Sequence, residues 1–137
     1  MQITRKNEAT FVPKPDGTNV WYYLFSEYEV HYNEIGPGVT QDWHCHGRIE
    51  EVIYVFSGQL LAEWVERGKR KSVVIYEGDL VRSGTATHTF TNNSGSTTKF
   101  LVIKLIVDNK DYREIFKADK QLFPVGALPN ADLESQN

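Results

Sequence analysis

The chain has 137 residues, which is close to the size of one domain of about 150 residues, and we predict a single domain over residues 1–137. Fifteen Lys and Arg against eighteen Asp and Glu give a formal net charge of −3, so no nucleic-acid partner is expected. No apolar run approaches the roughly 20 residues of a membrane-spanning helix, and residues 1–10 lack a signal peptide's apolar region. The single cysteine, Cys45, cannot form an internal disulfide. We therefore predict a cytoplasmic protein without membrane contact.

The hydrophobic pattern has a period of two, and Gly, Asn, Asp and Pro clusters interrupt it at short intervals. This pattern is typical of an all-β fold with eight to ten short strands. The predicted strands cover 20–25, 28–33, 51–56, 59–65, 72–76, 79–81, 88–91 and 99–107. Because Gly58 lies between two of them, 51–56 and 59–65 are predicted to pair as a hairpin.

Residues 20–25 form a nearly continuous aromatic and aliphatic run. Such a strand is expected to be covered on both faces, by a second sheet or by another subunit. On a lone sheet edge it would promote aggregation, so we expect it to pair across a twofold axis. A homodimer is therefore predicted.

Side chains alternate in the next strand, where Tyr28 and Tyr32 share one face and Glu29 and His31 share the other. We expect the aromatic face to be buried. His31 is accordingly predicted to face solvent and to lie outside any functional site.

The last thirty residues show a different spacing. Apolar side chains three and four positions apart predict a short helix over 111–122. Pro124 and Pro129 would end it, and 124–137 is predicted to be a polar tail.

Three of the four histidines stand out by their spacing, because His44 and His46 form a His-x-His pair and His88 follows far downstream. Residues i and i+2 of a strand point the same way, so both imidazoles would converge while Cys45 faces away. A carboxylate from the next strand and a third imidazole would complete a site suited to iron, manganese, nickel or zinc.

These residues resemble the first motif of the cupin family. Gly38, His44, His46, Glu51 and Gly58 lie in its register without a gap. The spacing to Gly58 favours Glu51 over the adjacent glutamate as the inward carboxylate.

The second cupin motif is matched in part, through Gly78, His88 and Asn92. The intervening segment is one residue short and lacks the motif's proline, with Gly84 in the turn. The resemblance covers about 20–107.

The resemblance implies an all-β, cupin-type jelly-roll barrel that holds one divalent metal ion, Fe, Mn, Ni or Zn. The implied metal ligands are His44, His46, Glu51 and His88. Glu51 is also the candidate catalytic residue.

Each of these residues has a structural alternative. The His-x-His pair could be surface histidines in a loop, and Glu51 could form an ion pair with Arg48 or Arg82. His88 could be a core histidine hydrogen-bonded to backbone. Cys45 is predicted to be a buried structural thiol rather than a ligand.

Alternation along two strands gives the predicted pocket an apolar wall of Ile53, Val55 and Phe90. A dication bound by one carboxylate keeps a net positive charge, so the natural guest is a small molecule with an anionic oxygen. We predict a small-molecule metalloenzyme of dioxygenase, isomerase or lyase type. The alternative is a non-catalytic module that binds a small molecule or a sugar.

Overall fold

The computed structural model describes residues 1–124 and 126, and these residues fall into two compact units that divide after Val107. The first unit holds a short 3-10 helix, Lys6–Glu8, and nine strands. The strands are β1 (Thr10–Pro13), β2 (Thr18–Leu24), β3 (Tyr28–Ile35), β4 (Glu50–Ser57), β5 (Gln59–Glu66), β6 (Lys69–Tyr76), β7 (Leu80–Arg82), β8 (His88–Thr91) and β9 (Thr98–Leu105).

The strands form two antiparallel sheets. One has the order β1-β2-β3-β9-β4-β7 and the other β6-β5-β8. The inward-facing apolar side chains of both sheets make one buried cluster, as expected for a sandwich of two half-buried sheets. This cluster contains Ile35, Ile53, Val55, Leu60, Ala62, Ile75, Phe90, Phe100 and Val102. The predicted all-β architecture is confirmed.

The predicted hairpin between 51–56 and 59–65 is wrong. β4 pairs with β7 and β9, whereas β5 pairs with β6 and β8 in the other sheet. Gly58 bends the chain from one sheet into the other with φ +91°, a conformation that side chains rarely adopt. The Thr98 hydroxyl fixes the bend by donating to the Gln59 carbonyl at 2.7 Å. The glycine therefore marks a sheet crossing instead of a tight hairpin turn.

The inward face of β3 is the one that sequence analysis assigned to solvent. His31 is 5% exposed and Asn33 is buried, whereas Tyr28 is 44% exposed. The His31 ring packs against Tyr22 with ring centroids 4.4 Å apart. Its Nε2 lies 2.8 Å from Glu29 Oε2. A polar side chain is stable inside because it has these partners, which hydrophobicity alone does not reveal.

Residues of the same chain pack against the second face of β2. Val20 faces the interior, and the opposite face carries Trp21, whose ring centroid lies 4.7 Å from that of Phe11 on β1. Lys6 Nζ lies 4.1 Å from the centre of the Trp21 ring. Because β1 pairs along β2, the latter is not an edge strand, and the reason given for a homodimer is wrong. Dimerisation itself stays a prediction.

The second unit begins at Asp108, and its described residues contain one helix, α1 (Arg113–Ala118). This helix is shorter than the predicted 111–122, and its apolar residues Ile115 and Phe116 are exposed. The predicted tail lies outside the described residues except for Pro124 and Gly126. No helix within the described part of the chain has the length and hydropathy needed to cross a membrane. The single-domain prediction stays a prediction.

Candidate metal centre

The segment between β3 and β4 carries two of the predicted ligands, and β8 holds it in place. His44 forms an isolated antiparallel bridge with His88, with N···O distances of 3.0 and 2.9 Å between the two backbones. The Gly38 amide donates to the Asn92 carbonyl at 2.8 Å. His46 belongs to no strand, so the prediction of a regular strand through the His-x-His pair is wrong. Cross-strand pairing, not strand alternation, brings His44 beside His88.

The three predicted histidine ligands gather around the carboxylate of the fourth, Glu51, which is 5% exposed. Oε2 lies 3.1 Å from His46 Nε2, and Oε1 lies 3.3 Å from His88 Nε2 and 3.6 Å from His44 Nε2. In the part of the chain described, His44, His46 and Glu51 form a candidate metal-binding group, with ligand atoms within 4.8 Å of one another. His88 contacts Glu51 but lies farther from His46, with ring centroids 6.2 Å apart.

Backbone carbonyls select the tautomers of two of these histidines. His44 Nδ1 lies 2.8 Å from the Asp42 carbonyl oxygen, and His88 Nδ1 lies 2.8 Å from that of Ala86. Because a carbonyl can only accept, both Nδ1 atoms carry the proton. A neutral imidazole has one proton, so each Nε2 presents a lone pair to the ionised Glu51. In their neutral forms both histidines therefore place an acceptor opposite the carboxylate, and either a second proton on the ring, which the raised pKa of His44 favours, or a cation has to lie between them.

A cation resolves this conflict, and the spacing of the donors fits one. Ligands about 2.1 Å from a common ion and at right angles to each other are about 3 Å apart. The N···O distances of 3.1, 3.3 and 3.6 Å from the three imidazoles to Glu51 are close to this separation. The donors also match a mixed nitrogen and oxygen site, and their Nδ1 hydrogen bonds are those expected of metal-binding histidines.

The site perturbs the pKa values of its own members. Burial raises the pKa of Glu51, but contacts with His44 and His88 and the Lys104 charge outweigh burial and hold it well below its usual range. The contact with Glu51 raises the pKa of His44. Burial lowers the pKa of His46. Glu51 is therefore ionised at neutral pH.

The adjacent glutamate takes the partner that sequence analysis considered for Glu51. Arg82 Nη2 donates to Glu50 Oε2 at 2.8 Å, and this hydrogen bond lowers the pKa of Glu50. The alternative in which Glu51 pairs with Arg82 is therefore wrong. Cys45 is exposed, which contradicts its interpretation as a buried thiol.

A mostly apolar cavity of about 360 Å³ lies on the His88 side of the centre. Its lining combines the apolar Ala62, Trp64, Val73, Val81, Ala86 and Phe90 with the polar or charged Glu63, Glu66, Arg82, Ser83 and His88. The predicted pocket residue Phe90 is among them, with its ring centroid 5.6 Å from that of His88. Ile53 and Val55 are fully buried in the core cluster. Contact of any of these three with a substrate stays a prediction.

A second, polar cavity of about 260 Å³ lies on the side of His44 and Glu51. Its lining includes Lys14, Asp16, His31, Asn33, Gln41, Asp42 and Lys104. Sequence analysis missed this cavity because it placed His31 on the outside. One signal was present: Lys104 shares the inward parity of Phe100 and Val102, where a lysine is unusual.

No protein-family model matches the sequence. No curated protein matches it either.

Solved structures do resemble this one. An oxalate oxidase is 19% identical with a TM-score of 0.64 over 76% of this chain, which spans only 59% of that chain's length. A predicted oxalate decarboxylase from Thermotoga maritima is 18% identical with a TM-score of 0.64, covering 77% of this chain and 100% of that one. The Drosophila melanogaster CENP-C cupin domain is 18% identical with a TM-score of 0.64, covering 74% of this chain and 79% of that one. At these identities the likeness shows a shared fold, which confirms the predicted architecture.

Proposed function

The chain has the cupin fold, and on this premise we propose that it is a metal-dependent enzyme of small-molecule metabolism. In this proposal a divalent Fe, Mn, Ni or Zn ion is bound by His44, His46, Glu51 and His88. The observation that carries it is the pair of histidines whose Nδ1 protons are held by backbone carbonyls while both Nε2 atoms face one buried carboxylate.

The bound ion would supply Lewis acidity and hold an anionic oxygen of the substrate. The chain's own residues provide the charge and the surroundings that this role of the ion requires. Glu51 stays ionised because its pKa is held well below the usual range, so it acts as a ligand and not as a proton donor at neutral pH. The buried surroundings of Glu51 and His88 lower the local dielectric, which strengthens every charge interaction at the site. These properties support dioxygenase, isomerase or lyase chemistry.

Two of the similar solved structures suggest which substrates to test first. Two of the similar structures are described as an oxalate oxidase and a predicted oxalate decarboxylase. We propose small carboxylates, with oxalate first, as the initial panel.

A second candidate is a binding module without turnover. The apolar cavity beside His88 favours it, because Trp64 in its lining offers the aromatic surface on which a sugar or a planar ligand packs. The CENP-C cupin domain, which has also been crystallised bound to CAL1, shares the fold. In this case the metal-loaded protein would bind a ligand and release it unchanged.

Metal binding is the first test. Protein freed of metal by a chelator would be titrated calorimetrically with Mn²⁺, Ni²⁺ and Zn²⁺, and anaerobically with Fe²⁺. We expect one ion per wild-type chain and an affinity at least about 100-fold weaker in His46→Ala and Glu51→Gln, since each removes a ligand. Glu50→Gln is the matched control, because Glu50 is buried next to Glu51 but bonds Arg82. Equal losses in Glu50→Gln and Glu51→Gln would contradict the assignment.

Turnover is the second test. Metal-loaded protein would be incubated with each carboxylate of the panel, with oxygen uptake and NMR of the products as readouts. Product formation that Glu51→Gln abolishes supports an enzyme. Saturable binding without product supports the module.

Homodimerisation and a cytoplasmic location also remain proposals. Light scattering at micromolar concentration tests the first, and a monomer would contradict it.

A further inference from the structure

A partly buried lysine lies beside the carboxylate of the metal centre. Lys104 is on β9, its side chain is 26% exposed, and its Nζ is 3.6 Å from Glu51 Oε2. That distance is longer than a hydrogen bond. Among the residues described here, none accepts a hydrogen bond from this Nζ. An ammonium has three donors, so those of Lys104 remain available to a molecule in the polar cavity, one of two cavities that this lysine lines.

The charges around the polar cavity point to an anionic guest. Lys14 also lines it, and no carboxylate within the described residues lies within 4.0 Å of its ammonium. Three carboxylates line it as well: Glu51, Asp42, and Asp16, whose Oδ1 accepts a hydrogen bond from the Thr18 amide at 2.8 Å. Burial lowers the pKa of His31, which is therefore neutral at pH 7 and adds no charge. Two lysines against three carboxylates give the lining a net charge of −1, and a divalent ion on Glu51 would change it to +1, which favours an anionic guest in the metal-loaded protein.

Building on the proposed function, we infer that Lys104 binds a carboxylate group of the substrate in the polar cavity. The lysine thereby selects small carboxylates over neutral ligands. The volume of about 260 Å³ suits a compact molecule. A neutral, apolar ligand would instead fit the cavity on the His88 side. Lys104 is thus a specificity-determining residue, and its role differs from that of the metal ligands.

The test separates anion binding from metal binding. Mn²⁺-loaded wild type and Lys104→Gln would be titrated with oxalate and with oxamide, its uncharged diamide. We expect the variant to bind oxalate at least about 10-fold more weakly, because a charge-assisted hydrogen bond is lost. Binding of oxamide would change less than about 3-fold, since no charge pairs with the lysine.

The Mn²⁺ affinity of the metal-free protein gives the second readout. It should stay equal or increase in Lys104→Gln, because the lysine no longer competes for Glu51. Lys104→Arg should retain most of the oxalate affinity. Lys99→Gln, on the outward face of the same strand, is the matched control and should change neither affinity.

Three outcomes would overturn the inference: unchanged oxalate affinity in Lys104→Gln, parallel loss of Mn²⁺ and oxalate binding, or no oxalate binding by the Mn²⁺-loaded wild type. Failure of the wild type to bind any metal would instead contradict the proposed function.

Discussion

Two glycines with the same positive φ angle allow a direct measurement of how tightly the sheet crossing is packed. Gly58 and Gly78 both have φ +91°. A Cβ at Gly58 would lie 2.6 Å from Thr98 Oγ1 and 3.1 Å from Thr98 Cα, whereas a Cβ at Gly78 would meet nothing within 4 Å. Alanine at either position incurs the same left-handed backbone cost of about 1–2 kcal/mol. Only Gly58→Ala also has to displace Thr98.

The additional cost at Gly58 follows from what Thr98 does. Its hydroxyl donates to the Gln59 carbonyl at 2.7 Å and accepts from the Gln59 amide at 3.2 Å. Losing these hydrogen bonds costs about 1 kcal/mol each. We therefore expect Gly58→Ala to destabilise the protein by about 3–4 kcal/mol and Gly78→Ala by about 1–2 kcal/mol.

Urea unfolding followed by tryptophan fluorescence measures both free energies, with linear extrapolation to water. The informative quantity is the difference between the two variants, because the backbone term cancels. A difference below about 0.5 kcal/mol, within the usual scatter of such measurements, would refute the assigned packing of Thr98.

Three further predictions concern titration and buried polar groups. Burial lowers the pKa of His31 despite its contact with Glu29, so stability is present above the unfolded pKa of about 6.5 and is lost as pH falls below it. Urea unfolding of metal-free protein at pH 7.5 and 5.0 measures this loss. In His31→Gln the drop in the free energy of unfolding should be smaller, by about 1.4 kcal/mol for each unit by which the pKa of His31 is lowered. Asn92→Ala should cost about 2–4 kcal/mol in the same assay, because the buried Nδ2 donates to the Ile35 carbonyl at 2.9 Å and to the Ser96 carbonyl at 2.7 Å, whereas exposed Asn93→Ala should cost under about 1 kcal/mol. Metal occupancy after dialysis should fall between about pH 6 and 5 as the ligand imidazoles take up protons, and unchanged occupancy at pH 4 would contradict the histidine ligands.

Most strands could be predicted from the alternation of apolar and polar residues, but the partner of the strand 51–56 could not. Residues 88–91 were predicted with the bounds that β8 has. The partner of 51–56 was predicted wrongly, because a glycine with positive φ serves equally well in a tight turn and in a crossing between sheets. Which one forms is decided by a contact with Thr98, forty residues away in sequence. Local spacing carries no information about that contact.

The candidate site was also predictable only in part: the sequence identified its residues but not the pairing that positions them. The five-residue register from Gly38 to Gly58 identified His44, His46 and Glu51, which the structure brings together. Their geometry, however, depends on the backbone bridge between His44 and His88, a long-range pairing. The shortened second motif therefore did not prevent His88 from reaching Glu51.

The wrong face of β3 was predicted to be buried, and the physical reason for this error also indicates where a functional site is expected. Choosing the buried face by hydrophobicity assumes that an interior is apolar, and Tyr28 and Tyr32 met that criterion. The barrel interior near the candidate metal centre is polar instead, with His31, Asn33 and Lys104 turned inward. Burying these groups costs free energy, and the fold tolerates that cost only where hydrogen bonds, an ion or a ligand compensates it. Inward polar side chains on two neighbouring strands, β3 and β9, are therefore themselves an argument for a binding chamber, independent of the His-x-His register.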